Sequence, residues 1–313
     1  MKVLAAAVLV VLVASVSLGE YAVAPLDVLR ALGGAGDGAT SFVVLDLRLP
    51  RAVTGALAGA ALGAAGAVFQ GVTRNPLVAP DIVGVAGGAS LAAVALIVFG
   101  GGEGVPLAAL AGALAAGAGL YGLAWRHGVH GQRLVLVGIG VAAFAQAGVA
   151  YVLVRGRIFE VSEAFVWLVG SLNGRGWEQA WPLAAGLAVA LPLLLLLGRA
   201  GRVLALGDEL ARALGVGVER TRLALLGLAV VLTALAVSAV GAVGFVAFVA
   251  PHLARRAVDG SLVAAAACGA LLVLLADLAG RLAFPPHEIP VGIVTSVLAA
   301  PYFLWLLRSR PTI

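Results

Sequence analysis

Hydrophobic residues in this chain run together instead of alternating with polar ones. A half-buried strand would alternate with period two, and a surface helix would carry an apolar stripe every three to four residues. Apolar runs of about 17–25 residues instead suit helices that cross a bilayer. Such runs fall at residues 3–18, 52–72, 82–99, 105–125, 134–154, 181–197, 223–243, 262–282 and 291–307. Residues 244–257 form a shorter apolar stretch broken by Pro251 and predict a shorter helix, the eighth in chain order. Ten spans place both chain ends on one side of the membrane. The first run also has the charged start of a signal peptide at Lys2, but no clean small-x-small cleavage site follows, so it reads as a retained helix.

Composition narrows the class. Of 313 residues, 62% are apolar and 11% charged, with mean hydropathy +1.11, far from the roughly 45–50% and 25% of soluble domains. Disorder is excluded by the same numbers, and the unbroken apolar runs argue against a transmembrane β-barrel, whose strands alternate. The expected fold is an all-α polytopic membrane protein, one integral domain over residues 1–313 with a cytoplasmic segment at 198–222. Lys2 is the only lysine, so no GxxxxGK[ST] phosphate loop exists and the chain does not hydrolyse ATP alone. A lysine nucleophile or Schiff base inside the membrane is excluded too. The lone Cys268 allows no internal disulfide or cysteine zinc site and reads as a small packed residue.

The net charge of +5 is carried mostly by arginines. With the N-terminus inside, thirteen basic residues fall inside: Lys2, Arg74, Arg126, Arg133, Arg199, Arg202, Arg212, Arg220, Arg222, Arg255, Arg256, Arg308 and Arg310. Seven fall outside: Arg30, Arg48, Arg51, Arg155, Arg157, Arg175 and Arg281. That bias predicts both termini in the cytoplasm.

Forty-three glycines suit close helix packing in lipid. Gly55, Gly59, Gly63 and Gly66 include overlapping GxxxG frames that put three glycines on one face, so this helix is expected at the bundle centre, near a moving gate or simply closely packed. Asp277 lies one turn before Arg281, an order that favours an intrahelical pair. Gln70 and Gln146 either line a pathway or hydrogen-bond across helices.

Three loops carry further information. In LALGDELARALGVGVERTR, Asp208 and Glu209 sit at the start of a short helix, Leu206, Leu210 and Leu214 repeat every four residues beside Ala213, and Gly215 stops it. Such an apolar face outside the membrane needs either a lipid surface or a soluble partner. In RNPLVAPDIVG, Asn75-Pro76 and Ala79-Pro80 force a turn. In PHLARR, His252 is expected to hydrogen-bond backbone freed by Pro251 rather than bind a metal. His127 and His130 share a short basic loop with little claim to a metal role, and FPPHEIP, with His287 and Glu288, makes a rigid outer turn.

Taken in order, RLPRAVTGALAGAALGAAGAVFQGVTRNPLVAPDIVG, FVWLVGSLNGRGW, LALGDELARALGVGVERTR, GFVAFVAPHLAR and ADLAGRLAFPPHEIPVGIVTSVLAAPYFLWLL resemble the permeases of ABC importers for ferric siderophores, haem and cobalamin. The likeness runs from Arg48 to Leu307 and is strongest to the ferric citrate and ferric enterobactin permeases, on LALGD, the tandem prolines of FPPHEIP, and RNPL followed by PDI. It implies ten helices per subunit in the bacterial cytoplasmic membrane and two permease subunits, identical or paralogous. It also implies two ATPase subunits that use ATP and Mg²⁺, an extracytoplasmic substrate-binding protein, an iron chelate as cargo, and no cofactor or metal held by this chain. Asp208, Leu210, Ala211, Ala213, Leu214 and Gly215 match the segment that docks in the ATPase. Arg48, Arg51 and Arg281 match residues that pair with glutamates of the binding protein. Gly55, Gly59, Gly63, Gln70 and Gln146 go to the pathway or helix packing, and Asn75, Pro76, Pro251 and His252 to the inner-gate turn. Ala247, Phe248 and Ala300 depart from the family pattern, and the loop after Arg256 is short, which touches the inner-gate geometry and one cytoplasmic contact. A haem or cobalamin cargo is the alternative within the family. An ion-gradient carrier would need more buried carboxylates than Asp277, and an intramembrane serine protease would need Ser171 and His252 to face each other in the bundle.

Overall fold

The structure, a computed structural model, describes every residue except 20, 22, 127, 129, 130, 285, 286 and 309–313, and the side chains of all the others except 303 and 305–307. Helices occur at all ten predicted places: α1 (Lys2–Ser17), α4 (Leu49–Thr73), α5 (Val85–Gly100), α6 (Val105–Ala124), α7 (Gly131–Arg155), α9 (Trp177–Leu196), α12 (Val218–Val240), α13 (Val246–Ala257), α14 (Leu262–Leu282) and α15 (Val291–Arg308). Five short helices lie between them: α2 (Pro25–Leu32), α3 (Gly38–Ser41), α8 (Ile158–Val169), α10 (Gly198–Ala205) and α11 (Asp208–Ala213). A π-helical stretch, Phe42–Arg48, joins α3 to α4, so Gly38–Thr73 is one continuous rod of 36 residues. This rod and α6, α7, α9, α12 and α14 are long and apolar enough to cross a membrane, while α1, α5 and residues 291–302 are shorter apolar helices.

The rod's α4 portion is the hub. It packs on α14, α12, α13 and α9, and its glycines explain how. A Cβ on Gly59 would overlap the Gly269 carbonyl, one on Gly63 the Ala265 carbonyl, and one on Gly66 the Ala247 carbonyl. On the other helix, a Cβ on Gly269 would overlap the Gly59 carbonyl in turn. Two backbones thus meet with no side chain between them, as small-xxx-small helices do in lipid.

Two departures from the expected spans have clear causes. Residues 82–84 are not helical, because Asn75-Pro76 and Pro80 keep 75–84 in successive turns and α5 starts only at Val85. Asn75 Oδ1 accepts the Leu77 N–H at 3.0 Å, and Gly84 takes φ +84° where its backbone abuts α7. Val78, Ala79 and Val83 are fully buried, so the segment folds into the bundle. The second departure is α8, which escaped the apolar count because Glu160 and Glu163 interrupt a stretch of only 12 residues, about 18 Å of helix. Its Ile158, Phe159, Phe165 and Val166 are exposed.

Candidate functional site

Polar chemistry gathers at the two ends of the bundle. At one end α1 finishes, the π-helical stretch passes into α4, and α14 ends beside the loop 170–176. The last turn of any helix leaves carbonyls without partners, and here two arginines meet those of α1. Arg48 Nη1 donates to Val16 O at 3.0 Å and Ser17 O at 3.1 Å, and its Nη2 to Tyr21 O at 2.6 Å. Arg281 Nη2 donates to Ser15 O at 2.9 Å and Ser15 Oγ at 2.7 Å. Positive charge at a helix C-terminus also suits the helix dipole.

Asp277, buried on α14, ties the same arginines together. Its Oδ1 accepts Arg51 Nε at 3.1 Å and Nη2 at 2.8 Å. Its Oδ2 lies 3.1 Å from Arg281 Nε, the i,i+4 pair expected from sequence, here a charge contact without hydrogen-bond alignment. Arg51 also holds both oxygens of Glu288, at 2.9 and 3.2 Å. Arg48, Arg51 and Arg281 therefore lie together, and each is half-buried and engaged within the chain. All three line one open cavity of about 860 Å³, with Asp46, Arg175 and Glu288.

At the other end Asp208 is the centre. Arg222 Nη2 donates to both its oxygens at 2.9 Å, and Arg74 Nη2 reaches Oδ1 at 2.5 Å. Arg74 is held there by a left-handed cap on α4, φ 52°, with Arg74 Nη2 also donating to Leu204 O at 3.1 Å. Arg222 is buried and its second acid is Glu219, at 3.1 Å. Burial of Asp208 opposes its ionisation, but the hydrogen bonds and charges of Arg222 and then Arg74 outweigh it and hold the carboxyl below the usual carboxylate range. The network fixes α11 to the ends of α4 and α12. Ala211 turns inward and is fully buried, while Leu206, Leu210 and Leu214 are 67%, 48% and 60% exposed, leaving an apolar stripe bare. Ala213 is exposed beside them, and Gly215 at φ +79° ends the turn. An open cavity of about 1050 Å³ lies between this segment, the end of α4 and α7.

Between the two ends, Gln70 is buried and bridges helices. Its Nε2 donates to Phe248 O at 3.2 Å and its Oε1 accepts Arg255 Nη2 at 2.7 Å. Of the two readings left open by sequence, cross-helix bonding fits this glutamine. Gln146 differs, standing exposed on the uncovered face of α7. The expectation for His252 needs correction. Pro251 frees the Ala247 carbonyl, which packs against Gly66, whereas His252 Nδ1 bonds the Phe248 carbonyl at 2.9 Å. Ser171 and His252 lie on different elements, in the loop after α8 and within α13. His127, His130 and the tandem prolines lie outside the described residues.

Sequence reading missed two contributors. Arg222 reads from sequence as a basic loop residue, yet it organises Asp208, and Glu219 at i−3 is the available signal. Asp81 carries no sequence signal of its role, which is that its Oδ2 accepts the Phe245 N–H at 3.1 Å and so joins the 75–84 turns to the start of α13.

Comparison with known proteins adds the following. The model of the FecCD transport family matches residues 7–309. The achromobactin transport system permease protein CbrC of Dickeya dadantii (strain 3937) is 44% identical over 97% of this chain and 89% of its own length. The Fe(3+)-citrate import system permease protein YfmE of Bacillus subtilis (strain 168) is 40% identical over 98% and 93%. A solved ABC transporter described as of the metal-chelate type, in an inward-facing conformation, superposes with TM-score 0.85 at 26% identity, covering 98% of this chain and 97% of that one.

Proposed function

Because the chain belongs to the FecCD transport family, it is a multi-pass permease subunit of an ABC importer, not catalytic alone, and we propose that its cargo is a ferric chelate of the siderophore or citrate kind. The observation that carries the cargo reading is the pair of relatives, an achromobactin permease at 44% and an Fe(3+)-citrate permease at 40% identity, each matched across nearly the whole chain. The rest of the reading is physical. The end bearing Leu206, Leu210 and Leu214 faces the cytoplasm, where most of the basic residues lie. The bare leucine stripe on α11 seats in a cleft of a separate ATPase subunit, two per complex, which binds ATP and Mg²⁺. Asp208, Ala211, Ala213 and Gly215 shape that segment, and the pull of ATP binding reaches α4 and α12 through Arg74 and Arg222.

The opposite end receives an extracytoplasmic binding protein. The outward edges of Arg48, Arg51 and Arg281 steer its acidic residues, each contact adding only about 0.2–1 kcal/mol but accelerating and orienting encounter. A second permease subunit covers the exposed faces of α7 and α8, placing Gln146 toward the shared pathway. Gly55, Gly59 and Gly63 seat α4 against its neighbours, and the turn of Asn75 and Pro76 with Pro251 and His252 forms the inner gate.

Two measurements on the reconstituted complex test this. Uptake of the ferric chelate should stop when the ATPase is catalytically dead and persist when the proton gradient is collapsed; the reverse result makes the chain a gradient-driven carrier. Leu210→Asp with Leu214→Asp should release the ATPase from the membrane subunits while leaving the helices inserted. Co-purification of the intact complex from that double variant would remove the coupling role.

A further inference from the structure

Seven arginines stand at the binding-protein end, and six have partners that account for them. Arg30 pairs with Asp27 at 2.9 Å and Arg157 approaches Glu160 at 3.8 Å. Arg155 lies over the Tyr151 ring, 5.4 Å from its centroid. Arg48 and Arg281 meet the carbonyls of α1, and Arg51 and Arg281 share Asp277. Arg175 is different. Among the described residues its side chain makes one bond, a long one from Nε to Ser171 O at 3.4 Å, and no ion pair. It is half-buried, and burial lowers its pKa with no neighbouring acid set against it.

The loop that carries Arg175 is held on every side. Ser171 N–H donates to Val240 O at 2.9 Å, and Gly176 N–H to Gln179 Oε1 at 2.9 Å. Trp177 Nε1 donates to Leu45 O at 3.1 Å, and Leu172 is buried against Gly55. The backbone from which the Arg175 side chain projects is thus fixed. The outer end holds two cavities, of about 400 Å³ and about 860 Å³, and four residues line both: Arg51, Asn173, Arg175 and Glu288. Arg51 pairs with Glu288 and Asp277, so of the charged residues that line both cavities Arg175 is the one without an ion pair among the described residues, with Glu163 on the wall of the smaller cavity and Asp46 on that of the larger.

A partly desolvated cation without an anion lacks the compensation that buried charge requires. Its planar fork matches the two oxygens of a carboxylate, or the adjacent oxygens of a catecholate. Resting on the importer reading above, we propose that Arg175 is a subsite for anionic oxygens of the ferric chelate at the mouth of the pathway, selecting negatively charged chelates over neutral ones. It receives cargo and does not dock the binding protein.

The test uses the complete complex in liposomes with loaded binding protein at saturation, ferric citrate as the anionic probe and a neutral ferric trihydroxamate as the control. Arg175→Gln should cut ferric citrate uptake about tenfold, the scale of losing one charge-assisted pairing, and change trihydroxamate uptake less than twofold. Arg175→Lys should recover part of the loss. The binding-protein concentration that half-maximally stimulates ATP hydrolysis should stay the same in both variants. Equal loss for both chelates, unchanged citrate uptake, or a shift in that half-maximal concentration would each overturn the inference, the last by making Arg175 a docking residue. If the wild-type complex imports neither chelate with ATP, the ferric-chelate reading falls and takes this one with it. If it imports citrate and Arg175→Gln makes no difference, only this one falls.

Discussion

Replacing Asp208 by alanine isolates the connection between the coupling segment and the membrane helices. The substitution leaves Arg222, whose side chain is 3% exposed, with Glu219 as its remaining acid. A hydrogen bond to a charged group is worth about 1.5–3 kcal/mol, and the buried Arg222 pairing falls in that range. Arg74 is 43% exposed, so solvent screens its share to about 0.5 kcal/mol. A loss of about 2 kcal/mol in local stability corresponds to about 30-fold faster opening of α11. Hydrogen exchange at the Ala211 and Val216 amides, which bond Gly207 O and Ala211 O at 2.9 Å, reads that opening directly. The pH dependence has a definite sign. The folded carboxyl titrates below its unfolded value of about 3.9, so its contribution is fully present above that value and is lost as pH falls through the lower folded one. Exchange corrected for intrinsic rate should therefore be flat at neutral and mildly acidic pH and rise only below about pH 4. Rates within twofold of wild type for Asp208→Ala, or loosening of the wild-type segment at mildly acidic pH, would refute the network's role.

Other substitutions probe the hub and the opposite end. Gly59→Ala places a methyl group against the Gly269 carbonyl and should lower stability by about 1–3 kcal/mol in detergent thermal unfolding, whereas Gly71→Ala on the same helix meets nothing within 4 Å and should be neutral or slightly stabilising. If both changes behave alike, close backbone approach is not what seats α4. Asp277→Asn removes the buried negative charge shared by Arg51 and Arg281 and should cost about 3–5 kcal/mol. Asp277→Leu with Arg51→Met and Arg281→Met should recover much of that, and a triple variant less stable than the single one would show that the charges themselves hold α14 to α4 and α1.

The six long apolar helices were legible in the sequence, as were the shorter α1, α5, α13 and α15, because an apolar run declares itself by length and hydropathy. Hidden were the elements whose signal is weaker than that. The short α8 mixes Glu160 and Glu163 into an apolar stretch of 12 residues, so its exposed Phe159 and Phe165 raise no long hydrophobic run. The π-helical stretch before α4 has no compositional mark at all, since FVVLDLR would serve any helix. The glycine frames on α4 were readable as close packing, but not the partner, because a backbone-to-backbone contact involves carbonyls of Gly269, Ala265 and Ala247 that carry no side-chain identity.

The same reason divides what could be read at the two ends. Counting charges located the arginines that break the positive-inside rule, and i,i+4 spacing joined Asp277 to Arg281. Neither could find that Arg48 and Arg281 meet the last carbonyls of α1, since every residue offers a carbonyl and only the fold decides which are bare. Nor could counting rank the seven outer arginines. An arginine matters as a site when its neighbours fail to satisfy it, and that is a property of the assembled loops. Arg175 is followed at i+3 by Glu178 and Arg48 is preceded at i−2 by Asp46, yet among the described residues neither arginine pairs with that acid, and Arg48 is engaged by backbone carbonyls at and beyond the end of α1 instead. The distinction between the two arises from α1, α9 and the π-helical stretch coming together, which gives Arg48 three carbonyls and leaves Arg175 facing two cavities.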